Sequence, residues 1–280
     1  MGLKRAAELR KRSSVVNGIF YPESPETLTD MLAAWGLTTG SANGGQVIFA
    51  PHGAWDLTGS IAASAFAAVQ KQNGQAGKSI RRVLLLGSCH DSSEEGIFLS
   101  ESASFEPPQG ELQVDQKFNR RLASCSTLIR INDIPHLCEH SLEVLLPLVK
   151  HCFPEAKIVP ILMSGRRPLL ISCLAKALRI ILEKHMEESL IVVSSTVSRN
   201  SDPDIALSMA DEFRSLLEAM DTKAYLSSLA VSRISACGAA VLGALLESGL
   251  LDGKHFSSLC PLVQSMGENG ETVYHGAFAA

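Results

Sequence analysis

Val83-Leu-Leu-Leu-Gly-Ser-Cys-His90 opens with a short apolar run and stops at a cysteine and a histidine. A run of this length, bounded by small and polar residues, marks a strand buried on both faces. Working outward, similar runs stand at 47–50, 158–162, 190–194 and 272–278. Helical patterns fill the intervals at 58–72, 115–124, 142–153, 167–186 and 205–220, and 220–251 reads as helical throughout. The segment 96–104 suits an outer strand or hairpin. Strands that alternate with helices predict an α/β domain with a mainly parallel central sheet flanked by helices.

Composition limits the function classes. Of 280 residues, 46% are hydrophobic, enough for a large core. The 25 basic and 29 acidic residues leave a net charge of −4, and aromatics are 5%. A chain without basic surplus or stacking platforms is not expected to bind nucleic acid. Seven scattered cysteines form no CxxC pair, which argues against a disulfide framework or zinc finger and suits a reducing, cytoplasmic setting. No uncharged apolar run reaches ~18 residues, so no membrane span is expected. The basic N-terminus lacks the apolar stretch of a signal peptide, and Ala6 stands where myristoylation wants Ser or Thr. Residues 1–14 read as a frayed basic arm, and 15–280 as one domain.

Two glycine-rich stretches imitate nucleotide motifs. QNGQAGKS at 72–79 carries Gln72 at the first glycine position and runs from helix into strand. A phosphate loop needs the reverse order, which aims helix amides at the phosphate. The stretch 40–45 likewise precedes a strand.

The chemistry gathers at strand ends. Val47-Ile-Phe-Ala-Pro-His52 and the run ending at His90 each deliver an imidazole where open α/β sheets bind ligands. Either histidine alone could merely finish a loop; two from different strands could meet on one ion. Cys237 precedes an uncharged helix start, Gly238-Ala-Ala-Val, where thiolate is favoured over thiol. Cys89 is expected to face away from His90, because successive strand side chains point to opposite faces. Glu139-His140 suits a general base or a partner for a metal-bound histidine. Ser194-Ser-Thr-Val-Ser-Arg-Asn200 is hydroxyl-rich but lacks the G-x-S-x-G of a serine hydrolase.

In order, Gly18-Ile-Phe-Tyr-Pro22, Ala50-Pro-His-Gly-Ala-Trp55, Arg82–His90, Gly110-Glu-Leu-Gln-Val-Asp115, Glu139-His-Ser-Leu-Glu143, Ile158-Val-Pro-Ile-Leu162, Ser194-Ser195 and Cys237-Gly238 resemble the Memo family. That family is similar in fold to the extradiol ring-cleaving dioxygenases that use non-haem iron. The resemblance implies that His52, His90 and Cys237 bind one metal ion and that His140 lines the same cleft as a catalytic or substrate-anchoring group. Trp55, Glu139, Ser195 and Arg199 are the expected cleft-binding residues. Cysteine in place of the dioxygenases' carboxylate softens the donor set, so copper(I) is compatible as well as iron(II).

The chain departs from the family pattern at three positions after the late strand and again after His52. Thr196, Arg199 and Asn200 stand where the family has Asp, His and Tyr, and His-Gly-Ala-Trp replaces His-Ala-Gly-Tyr. An acid, an imidazole and a phenol are gone, and a cation suited to an anionic ligand has arrived. The expected function is a metal-dependent redox protein acting on a small molecule. The alternative is a non-catalytic binding module that holds a peptide, small ligand or protein partner in the same cleft. A third reading, a Cys–His hydrolase, would use Cys237 and His140.

Overall fold

Leu84 and Leu86 pack on one face of the central sheet, while Val83 and Leu85 pack on the other. A strand's period of two imposes this alternation, and helices on both faces make both sets apolar. The computed structural model describes residues 10–39, 46–71, 79–92, 94–267 and 269–280. Its main sheet has eight strands, in the order Ser257–Ser258, Phe278–Ala279, Gln46–Ala50, Ser189–Ser194, Arg82–Ser88, Lys157–Ser164, Gly96–Leu99 and Ile129–Ile131. The four central strands, Gln46–Ala50 through Lys157–Ser164, are parallel. Antiparallel pairings appear only toward the edges.

Helices Pro168–Leu182, Pro203–Ala219 and Ala239–Glu247 cover one face. Pro25–Ala34, Trp55–Lys71 and Leu146–Cys152 cover the other. Ser189–Ser194 lies between Gln46–Ala50 and Arg82–Ser88, with Ala50 opposite Ser194 and Leu86 opposite Val193. Three neighbouring carboxyl ends therefore open on the same side. No described helix is long and apolar enough to cross a membrane.

Several expectations are corrected. Part of the supposed basic arm is an ordered strand: Lys11–Ser13 pairs in parallel with Ser104–Glu106. Arg12 is buried, and its Nη1 meets Glu143 Oε2 at 2.6 Å. Glu143 also accepts from the amides of Val15 (2.8 Å) and Val16 (2.9 Å) and from the Tyr21 hydroxyl (3.0 Å). Residues 1–9, the stretch 40–45 and nearly all of QNGQAGKS lie outside the described residues.

The helical pattern at 142–153 is two helices, His140–Glu143 and Leu146–Cys152. Pro147 sits in the first turn of the second, the only helical position where a missing N–H costs nothing. The run 272–278 divides between two sheets. Thr272–His275 pairs with Ser198–Asn200 and Val263–Met266, and Phe278–Ala279 joins the main sheet. Gly96–Leu99 is an inner strand of the main sheet, not an outer hairpin.

Candidate metal centre

His52 leaves its strand buried and meets Ser194 from the neighbouring strand end, Nδ1 to Oγ at 2.9 Å. The Ser194 hydroxyl has one proton and donates it to the Ser141 carbonyl. Its oxygen therefore accepts from His52 Nδ1–H, which leaves Nε2 as the nitrogen that faces the cleft. That Nε2 lies 3.6 Å from the Cys237 sulfur.

His90 is fixed in the same way by a stronger partner. Its Nδ1 lies 2.9 Å from Glu139 Oε1, and its backbone amide donates to Glu139 Oε2 at 2.6 Å. Glu139 also caps the helix His140–Glu143 by accepting from the Ser141 amide at 2.8 Å. Gly87 lets that helix lie against the strand end. A Cβ there would fall 2.6 Å from Leu142 Cδ2 and 2.9 Å from Ser141 Oγ. Burial alone would raise the Glu139 carboxyl, but the hydrogen bonds and charge of His90 outweigh it and hold the pKa at about 2. Burial alone would lower His90; hydrogen bonds to Cys237 and Glu139 reverse this and place it at about 10.

Cys237 arrives on the loop before the helix Ala239–Glu247 and is partly buried. Its sulfur accepts from the Thr196 amide at 3.2 Å and the Thr196 hydroxyl at 3.3 Å. Ser195 Oγ accepts from the Gly238 amide at 2.8 Å, which pins the loop to the sheet. A side chain at 238 would strike Ser195 Cβ at 2.7 Å and the Ser194 carbonyl at 2.9 Å. Burial opposes ionisation of the thiol, yet His52 and His90 bring its pKa well below the ordinary range. The two imidazoles thus favour ionisation of the thiol.

His140 completes the arrangement. Its ring centroid is 4.9 Å from that of His90 in a stacked geometry and 5.5 Å from that of His52. One ligand nitrogen from each of His52, His90 and His140 lies within 4.8 Å of the others. Burial and then the charge of His52 press the His140 pKa down to about 4. At neutral pH its imidazole is uncharged.

Two other expected cleft residues are buried, and Ser195 Oγ lies 3.5 Å from the Cys237 sulfur. Trp55 is 3% exposed, donates to the Val144 carbonyl at 3.1 Å and packs on Trp35. Ser195 is fully buried as the loop pin just described. Cys89 lines the same cavity as His90, against expectation, because strand alternation ends at Ser88. Three contributors were not foreseen: Ser194 as the partner of His52, Arg166, and His275. His275 is 4% exposed, pairs through Nε2 with Ser265 Oγ at 2.8 Å and has an unpartnered Nδ1 among the described residues. Burial and the nearby charge of His52 lower its pKa to about 4.

The Memo family model, described as Memo-like protein, matches residues 12–260. The chain belongs to the Memo family. Similar Memo relatives include a MEMO1 family protein of Nitrosopumilus maritimus, 26% identical over 95% of this chain and 98% of that protein. One of Aeropyrum pernix is 27% identical over 88% of this chain and 90% of the relative. An uncharacterized protein, JW3007, from Escherichia coli K12 shares the fold at 14% identity, with a TM-score of 0.51 over 84% of this chain and 98% of that one.

Within this Memo fold the three departures have definite positions. Thr196 supports the Cys237 sulfur. Arg199 is half-exposed, with Nε 3.5 Å from Glu271 Oε2. Asn200 Oδ1 accepts from the Asp202 amide at 2.9 Å, just ahead of a helix.

Proposed function

We propose that this Memo-family protein holds one iron or copper ion on His52, His90 and Cys237 and uses it in redox chemistry on a small molecule. The observation that carries this reading is the pair of anchored imidazoles. Ser194 and Glu139 take the Nδ1 atoms of His52 and His90, which turns both Nε2 atoms toward the Cys237 sulfur. Partners of this kind orient metal-binding histidines and raise their basicity. The donor set of two imidazoles and a thiolate fits a soft or borderline ion.

A bound ion of this kind supplies one-electron chemistry and sites for substrate or oxygen. The chain's own residues do the rest. Glu139 holds His90, Ser194 holds His52, and Thr196 holds the sulfur. Neutral His140, beside the cluster, accepts a proton from a substrate hydroxyl or donates one through Nε2.

Elemental analysis of anaerobically purified protein tests the reading. Wild type should carry about one equivalent of iron or copper, as expected of one mononuclear site. The His52→Ala, His90→Ala, Cys237→Ser triple variant should carry none. Retention in His140→Ala with loss in Cys237→Ser identifies the ligand set proposed; the reverse identifies three histidines instead. No uptake by wild type on titration would overturn the proposal.

A further inference from the structure

We infer that the cleft beside the metal centre takes a small organic acid, and that Arg166 holds its carboxylate. A cavity of about 240 Å³ adjoins His90 and Cys237. Met163, Ala240 and Val241 give it an apolar wall, and no carboxylate is among its described lining residues. Arg166 supplies its one arginine.

The guanidinium is set in place without being neutralised. Nη1 donates to the Ile234 carbonyl and Nη2 to the Ala236 carbonyl, each at 3.0 Å. Both acceptors lie on the loop that leads to Cys237. Of the five N–H donors of arginine, three are left over. Neighbouring arginines have acidic partners: Arg167 Nε lies 2.6 Å from Glu95, and Arg199 pairs with Glu271. Arg166 has no carboxylate within ion-pair distance among the described residues.

A second polar group at the cavity also lacks a partner. Ser88 is among its lining residues, and its buried Oγ makes no hydrogen bond with a described residue. The volume admits a single ring with one or two substituents and falls short of the ~300 Å³ at which pockets for drug-sized ligands begin. One cation matches one negative charge. A carboxylate on Arg166 sets the body of the molecule on Met163 and Val241 and its far end toward His90 and Cys237. How the acid is held depends on this cavity; what happens to it rests on the metal centre proposed above.

Benzoate and its neutral isostere benzamide are the probes, titrated calorimetrically into chelator-treated and metal-loaded protein. Wild type should prefer benzoate by about tenfold in both forms, the scale of one exposed charge-assisted hydrogen bond. Arg166→Gln should abolish the preference, and Arg166→Lys should keep most of it. Equal affinities in wild type, or no benzoate binding, would overturn the inference. So would equal weakening of both probes in Arg166→Gln, which would mean that Arg166 only braces the loop. A preference that disappears with the metal would assign the carboxylate to the ion and likewise refute a role for Arg166. A preference that depends on Arg166 in protein that never takes up metal would leave this inference standing while the proposed redox function fell.

Discussion

Replacing Arg12 with methionine removes the cation from a fully buried carboxylate. Glu143 then keeps three neutral donors, the amides of Val15 and Val16 and the Tyr21 hydroxyl. Breaking a buried ion pair from one side costs about 3–5 kcal/mol, and the surviving donors favour the lower end of that range. The substitution also strips the His136 carbonyl of a 2.7 Å donor and the Glu139 carbonyl of a 2.9 Å donor. Each such loss adds up to about 1 kcal/mol, so the total is about 4 kcal/mol. Urea unfolding at pH 7 measures it as a drop in midpoint at constant slope, and thermal melting should fall by roughly 10 °C. The double variant Arg12→Met, Glu143→Gln should recover at least about 1 kcal/mol, because no unpaired charge stays buried. A loss below about 1 kcal/mol in Arg12→Met, or strict additivity of the two changes, would refute the view that this ion pair fastens the first strand to the helix that Glu139 caps.

Stability should also respond to acid in two steps. His136, His140 and His275 have folded pKa values of about 4, below the unfolded value near 6.5, so their contribution is complete above pH 6.5 and lost as pH falls toward 4. Each should withdraw about 2 kcal/mol between pH 7 and 5 in urea titrations, and a His136→Gln variant should show a shallower slope. Glu139, lowered to about 2, adds a further loss as pH falls from about 4.5 to 2. In chelator-treated protein at pH 6, iodoacetamide should label Cys237 first among the seven cysteines. Metal should protect it, and His90→Gln should slow labelling by about tenfold; labelling led by another cysteine would contradict the thiolate assignment. Gly87→Ala should cost about 1–3 kcal/mol by overpacking against Leu142, and should lower metal content by displacing Glu139, read by calorimetry and elemental analysis.

The parallel centre of the sheet was legible because strands buried on both faces are continuous apolar runs, as at 83–87 and 190–194. His52 and His90 were legible because those runs end on them. Partners from distant loops left no comparable mark. Ser194 looked like one hydroxyl among several, and its bond to His52 spans 142 positions. Arg12 read as part of a solvated basic tail, since its partner Glu143 is 131 residues away. Trp55 carried the opposite risk. The family resemblance put it in the cleft, but the helix beginning there turns the indole into the core. Arg199 had the right charge, yet pairing with Glu271 depends on the Ser198–Asn200 strand lying beside Thr272–His275.

Both of the chain's tryptophans sit at one spot, with ring centroids 5.2 Å apart and planes tilted by 56°. Indole transitions so close and so inclined couple as a single chromophore. The protein's near-ultraviolet optical activity and its intrinsic emission thus originate largely beside the turn that carries His52. Light reports first on that corner of the molecule, and only through it on the rest.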